Sequence, residues 1–318
     1  MRKNHYEKYI APVVILVIVL LLWEFLVAAL QIEEFLLPRP SAILSNLGRV
    51  IVFTPNEIPE DTSELAAQLK ANTLIVSVPQ NAPTTILKPI LSATVLTQFS
   101  IGSNKIMLIQ GQNFMPIVQA GWFTLKEALG GFVVGSSLGI LIALITARWT
   151  TTREALMPFA IAVNSMPIIA FAPIMNNWFG IDNPFSKMSI VAIMCFFPMM
   201  INTVRGLTLV EPRSLELMRS YAASGFAILF KLRIPNALPF MFSGLKVAAA
   251  LSMIGAIVGE YFGGPRIAMG VFITQEAALF RFSSAWAAII IACIMGIGLY
   301  IIIIAVERLV MPWHVSFR

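Results

Sequence analysis

The chain has 318 residues, of which 58% are hydrophobic and only 12% charged, and its mean hydropathy is +0.83. A soluble domain carries about 45–50% apolar and about 25% charged residues, so this composition excludes the soluble globular class and describes a polytopic membrane protein. The net charge of +6 comes without a basic patch interleaved with aromatics, so no nucleic-acid partner is expected, and surplus Lys and Arg serve membrane topology.

In chain order, Ile10 to Leu30 is an apolar run long enough to cross the hydrocarbon core. Arg2, Lys3 and Lys8 precede it and hold its start on the cytoplasmic side. A cleaved signal peptide is the rival reading; the length of the run and its Trp23 and Glu24 speak against it.

Residues 31–120 form a long connection that opens with Leu37-Pro38-Arg39-Pro40-Ser41 and a short amphipathic stretch. From Ile51 to Gln119 the segments LIVSVPQNAPTTILKP and NKIMLIQGQNF are β-branched and bounded by Pro, Asn and Gly, which predicts short strands in a small external insert.

Five further spans are expected: Trp122 to Ala147, Ala155 to Phe179, Met188 to Thr203, Phe240 to Phe262 and Ser284 to Val306. With the first span they make six crossings, which place both termini in the cytoplasm. Arg148, Arg153, Arg205, Arg213, Arg219, Lys231, Arg233, Arg308 and Arg318 then fall inside, against only Lys187, Arg266 and Arg281 in the short outer loops. The expected organisation is residues 1–50 as first span and amphipathic stretch, 51–119 as insert, 120–306 as a five-helix core with a cytoplasmic loop at 207–239, and 307–318 as a cytoplasmic tail.

The second span carries Gly131, Gly135, Gly139 and Ala143 at four-residue spacing, and the fifth carries Gly255, Gly259 and Gly263. Small residues on one face let helix backbones approach closely, so helix packing is the expected role, with a pore lining as the lesser alternative. The third span contains Pro158, Pro167 and Pro173 with Asn164, Ser165, Asn176 and Asn177, followed by Trp178-Phe179-Gly180. Prolines break helices, and a break at membrane depth is tolerated inside protein or beside a water-filled cavity. The span is therefore a candidate wall of a translocation path, or else a kinked packing helix. Phe196, Phe197 and Asn202 of the fourth span extend the same candidate path.

Glu260, near the outer end of the fifth span, is a functional candidate because a carboxylate in an apolar segment is expensive; the alternative is that it reaches the interface. Lys246 is expected to snorkel. Paired acids within the membrane and inverted repeats, as carried by ion-gradient carriers, are not evident. Cys195 and Cys293 lie in apolar runs and imply no disulfide framework, while His5 and His314 sit near the termini, so no internal imidazole serves a metal site or a catalytic triad. No catalytic residue and no metal site are expected.

The polar segment Glu211 to Pro239, EPRSLELMRSYAASGFAILFKLRIPNALP, lies between two apolar spans. Pro212 suits the first turn of a helix. Glu216, then Ala222, then Leu232-Arg233-Ile234-Pro235 resembles the coupling loop of ABC importer permeases, whose pattern is Glu-Ala-Ala, three residues, Gly, nine residues, Ile-x-Leu-Pro. Leu217 and Met218 replace the two alanines, Ala222 stands at the family's glycine with Ala223 beside it, and the first glycine is Gly225. Those departures bear on the geometry of the turn. Ile234-Pro235 and Leu238-Pro239 are expected to end this helical segment and start the next span. An ordinary interfacial helix is the alternative.

Pro167, Pro173, Trp178-Phe179-Gly180, Phe196-Phe197-Pro198 and Asn202-Thr203 are similar to the sulfonate and nitrate branch of these permeases, and ELMRSYAAS with KLRIPNALPF is most like its vitamin end, with riboflavin permeases first. The resemblance covers everything outside residues 51–119. It implies an all-α polytopic fold of six transmembrane helices and a bacterial inner-membrane location. It implies two cytoplasmic ABC ATPase subunits, an external substrate-binding protein, and a second permease copy, as a homodimer. Glu216, Leu217, Met218, Arg219, Ala222, Ala223, Gly225, Leu232, Ile234 and Pro235 become the ATPase-coupling residues. No GxxxxGK[ST] phosphate loop occurs in the chain, so ATP and Mg would bind the partner ATPase and this chain would carry no cofactor. Sulfonate, taurine or nitrate are the alternative substrates. An ion-gradient carrier and a passive membrane scaffold are the alternative classes.

Overall fold

The computed structural model describes residues 7–54, 74–79, 93–101, 104–146 and 150–313. Its contacts divide the chain into two units, Met1–Val118 with Ile273–Ile290, and Gln119–Phe272 with Ile291–Arg318.

The first unit begins with α1, Glu7–Ala29, uniformly apolar with no polar face. The one acid in its apolar stretch is not left bare. Glu24 accepts hydrogen bonds from the Ser41 amide (3.0 Å) and hydroxyl (2.8 Å), at the start of α2, Pro40–Leu47. A carboxylate there meets unpaired helix amides and the positive end of the helix dipole. Trp23 packs edge-on against Trp286 at 5.3 Å.

A four-stranded sheet follows, β1 Gly48–Thr54, β2 Ile75–Pro79, β3 Val95–Ile101 and β4 Asn104–Gln110, in the order β2-β1-β4-β3. β1 runs parallel to β2 and antiparallel to β4. Ile51, Val76, Val78 and Ile109 form its small core. The LIVSV and NKIMLIQ segments fall on β2 and β4, while residues 80–89 of the first quoted run lie outside the described residues. β1 begins at Gly48, upstream of the expected boundary at residue 51, and β3 was not singled out in the sequence. Gly111 follows β4 where a Cβ would lie 2.1 Å from the Asn46 carbonyl oxygen, so only glycine fits between sheet and α2.

The second unit is helical, and two long helices, α3 Phe114–Thr146 and α11 Phe282–Val310, contribute to both units. α4 is Thr150–Asn164, α5 Ala172–Phe179, α6 Pro184–Thr208, α7 Pro212–Ser220, α8 Gly225–Ile228, α9 Ile234–Tyr261 and α10 Met269–Ala278. Among the described residues five helices are long and apolar enough to cross a membrane, and the pair Pro158–Asn164 and Ile169–Phe179, bent by 72°, makes a sixth span if taken as one. The bend falls at Ser165–Pro167, where Pro167 has ψ 88° and a 3-10 turn, Ile168–Phe171, restarts the chain. Pro173 sits harmlessly in the first turn of α5, and Pro158 lies within α4.

α6 and α9 form the centre of the second unit. Close approach is set by glycine. A Cβ at Gly135 would meet the Ala192 carbonyl oxygen at 2.3 Å, and one at Gly139 would meet that of Phe196 at 2.8 Å. Gly131 faces Val191 and the Met188 carbonyl, while Gly255 faces Met194 and Gly259 faces Ile190 and Lys187. Such contacts bring backbones together where larger residues would hold them apart.

Three expectations are corrected. The fourth span does not begin at Met188: Asn183 caps the helix by accepting from the Phe185 amide, and Pro184 takes the first turn. Lys187 is accordingly no outer-loop cation but a fully buried residue of α6. The Ile234-Pro235 and Leu238-Pro239 pairs do not stop the helix either. A π turn at Leu229–Arg233 widens the backbone just before them, and the helical run from Gly225 continues to Tyr261; the wider turn accommodates the missing proline donors.

Candidate functional site

The segment between α6 and α9 folds as a short helix, a tight reversal and a second helical run. Pro212 opens α7, and the helix has no buried residue. Glu216, Leu217 and Arg219 are exposed and Met218 is half-buried. The helix closes on two backbone bonds: the Ala222 amide to the Arg219 carbonyl at 2.9 Å, and the Ala223 amide to the Met218 carbonyl at 3.1 Å. This is a Schellman closure, and it needs a left-handed residue at Ala222, whose φ is +52°. The position that resembles the family glycine is thus the one that adopts a glycine-favoured conformation. Gly225 has no such requirement, since a Cβ there would meet nothing within 4 Å.

Ser224 then caps α8 by accepting from the Ala227 amide at 3.3 Å. Leu232, Ile234 and Pro235 lie in and just after the π turn. Asn236 ties the next turn back to α6, its amide donating to the Gly206 and Leu209 carbonyls at 3.0 Å each. A close glycine contact between Gly206 and Ala237 and this double bond tie α6 to α9 at the base of the segment that carries α7. Leu217, Tyr221, Phe226 and Phe230 are all more than half exposed, with Phe226 and Phe230 stacked at 6.3 Å. Exposed apolar side chains in a group of this kind mark protein or membrane contact surfaces.

Asn164 and Asn202 come together in one cleft of about 430 Å³, lined also by Met194, Pro198, Ile201, Val247 and Leu251. None of the seven is ionisable. Asn202 donates to the Pro198 carbonyl at 2.8 Å, which fixes its amide and leaves the carbonyl oxygen for a ligand. Helix breaking at Ser165–Pro167 ends α4 beside the cleft, and Ser165 bonds its own chain at Ile161.

The other sequence candidates lie elsewhere. Pro167, Pro173, Trp178 and Phe179 are exposed. Asn176 is buried and donates to the Gly263 carbonyl at 3.3 Å, holding the turn where Gly263 has φ +137°. Phe196 and Phe197 stack edge-on at 4.8 Å against the core of Ala143, Ala160, Met200 and Val204. Glu260 does not line the cleft and does not reach an interface. It is fully buried, accepting from the Thr124 hydroxyl at 2.7 Å and the Gly270 amide at 2.8 Å. Thr124 in turn accepts from the Met269 amide at 3.0 Å, so two spans and the start of α10 share one polar knot. Glu127 and Lys187 belong to the same buried group. Sequence reading singled out neither Glu127 nor α10, counted Lys187 among the outer-loop cations, and found no acid pair.

The inner membrane component model of binding-protein-dependent transport systems matches residues 135–313, more than half of the chain. The chain belongs to that family. The permease is 31% identical over 184 residues to the formylaminopyrimidine transport permease protein ThiX of Halalkalibacterium halodurans, covering 58% of this chain and 73% of that one. It is 30% identical to the riboflavin transport system permease protein RibX of Chloroflexus aurantiacus, covering 61% and 71%. A putative aliphatic sulfonates transport permease of Bacillus subtilis is 26% identical over 72% of the chain and 82% of its own. Among solved structures, an amino acid ABC transporter aligns with TM-score 0.50 at 15% identity, over 61% of this chain and 94% of that one, which supports the fold. The matched region contains both the cleft and the Pro212–Ser220 helix; this permease is a transport protein of the inner membrane, with an ABC transporter permease fold and a small sheet.

Proposed function

We propose that this permease is the membrane subunit of an ATP-driven importer for a neutral, flat heteroaromatic vitamin or vitamin precursor, riboflavin first. The observation that carries the substrate class is the cleft: two carboxamides in an apolar lining without a charge. Such a wall reads the paired donor and acceptor edge of an uncharged ring and gives an anion no counter-charge. The relatives named for riboflavin and formylaminopyrimidine transport support the same class. A sulfonate, taurine or nitrate importer is the second reading, favoured by the Bacillus subtilis relative and disfavoured by the uncharged lining.

The drive comes from partner ATPase subunits seated on α7 in the cytoplasm, with Leu217, Tyr221, Phe226 and Phe230 as the apolar contact and Glu216 and Arg219 at its rim. Closure of the ATPases pushes a helix closed by its Schellman end, and the motion passes into α6 and α9, which Asn236 ties together, and rocks the bundle between two states. Two permease copies form the transporter, both chain termini face the cytoplasm, and an external binding protein delivers the solute on the side of the sheet. Residues 51–119 then form the external insert.

Reconstitution with the ATPase and binding protein tests this reading. ATP-dependent uptake of riboflavin or formylaminopyrimidine, with no uptake of an alkylsulfonate, is expected. Uptake of the sulfonate alone overturns the substrate class.

A further inference from the structure

The buried knot around Glu260 holds more negative charge than its donors account for. Glu260 and Glu127 are 0% and 3% exposed, and Lys187 is 0% exposed. They come from α9, α3 and α6: Thr124, one turn before Glu127, bonds Glu260, and a Cβ at Gly259, beside Glu260, would meet the Lys187 stem at 3.4 Å. The nearby Asp182 also acts on Lys187 but is exposed, before α6 begins. The buried count is two carboxyl groups against one ammonium group.

Their hydrogen bonds separate the two acids. Both oxygens of Glu260 are occupied by donors, the Thr124 hydroxyl and the Gly270 amide. Lys187 donates to the Ile181 carbonyl. Among the described residues neither oxygen of Glu127 receives a bond from any donor, although both are buried. Glu127 nevertheless lies one helix turn beyond Thr124, whose hydroxyl bonds Glu260, so the two carboxyl groups are neighbours across α3 and α9. Two carboxylates both accept and neither donates, so a bond between them requires a proton on one. An unpaired buried carboxylate is the costly alternative.

We propose that Glu127 and Glu260 share a single proton, carried on Glu127 and donated to the Glu260 carboxylate, as a resident proton site of the bundle. With it the cluster is neutral: one carboxylate, one ammonium and one carboxylic acid. A metal ion is the poorer occupant, because the Lys187 ammonium already stands in the cluster. The proton stays through the transport cycle; it neutralises the packed ends of three spans and is not carried with the solute. The inference stands on the second unit alone and is independent of the substrate reading.

Infrared spectroscopy of the whole transporter in lipid nanodiscs at neutral pH tests it. The expected result is a protonated-carboxyl carbonyl band that shifts in D2O, is absent in Glu127→Gln and is unchanged by sodium. Gln copies the neutral acid, so Glu127→Gln should also fold, melt near wild type and keep uptake within about twofold. Four results overturn the proposal: no such band in wild type, a band that survives Glu127→Gln but vanishes in Glu260→Gln, a band that sodium abolishes, or a Glu127→Gln chain that fails to fold. Loss of uptake in a folded Glu127→Gln transporter overturns the resident role, since it shows a proton that must come and go.

Discussion

Lys246 Nζ lies 2.7 Å from Glu307 Oε2, joining α9 to α11 within the second unit. Lys246, expected to snorkel, reaches an acid three residues from the end of the last helix. Glu307 is 6% exposed, so the pair behaves as a largely buried one, whose members are costly to separate.

Removing one partner should be worse than removing both. Glu307→Ala leaves an uncompensated ammonium and is expected to lower stability by about 3 kcal/mol, whereas Lys246→Met with Glu307→Leu should come close to wild type. Thermal melts of the three proteins in one detergent check this; equal losses in Glu307→Ala and in the double variant would count against a coupled pair.

Ala222 is the second case. A left-handed alanine costs about 1–2 kcal/mol relative to a right-handed one, and glycine avoids that cost. Ala222→Gly is expected to stabilise the end of α7 by about 1 kcal/mol, and Ala222→Val to weaken it by more than it gains elsewhere. Amide exchange at Ala223 reads the closure directly; faster exchange in Ala222→Gly than in wild type would contradict it.

Much of this arrangement was legible in the chain. Apolar runs marked the long helices, and the prolines between Asn164 and Pro173 marked the bend, because a missing donor and a ring clash are local effects. Ala222 could be placed by motif spacing, but its backbone conformation could not, since alanine is ordinarily right-handed. The Glu127–Glu260–Lys187 group was hidden for a different reason. Glu127 follows Lys126 directly, Lys187 reads as an outer-loop cation and Glu260 as a single acid in its span, and only packing through Gly259 and Gly131 brings the helices that carry them together. Helix α10 was hidden because Thr274, Gln275 and Glu276 read as a polar loop between spans, and β1 because GRVIVFT continues directly from α2.

The glycines give a third prediction. With the Ala192 carbonyl oxygen 2.3 Å from a Cβ at Gly135, Gly135→Ala should force α3 away from α6 at a cost of about 1–3 kcal/mol. At Gly298 a Cβ meets nothing within 4 Å, so Gly298→Ala should melt like wild type. Melting both variants side by side checks the contrast; an unchanged Gly135→Ala would refute the close approach.

Surface changes on α7 give the fourth. No residue of that helix is buried, so Glu216→Lys with Leu217→Asp should leave the melt unchanged while weakening ATPase association at least tenfold, about 1.4 kcal/mol. Co-purification and stimulated ATP hydrolysis report on it, and full association would place the motor elsewhere.

Transport in sealed proteoliposomes, with ATP supplied only on the side to which α7 is exposed, bears most directly on the central claim. Uptake of riboflavin or formylaminopyrimidine that requires the ATPase, persists with an uncoupler and is lost in the Glu216→Lys, Leu217→Asp variant is the predicted result. Uptake driven by an ion gradient in vesicles that contain this chain and no ATPase would contradict the account.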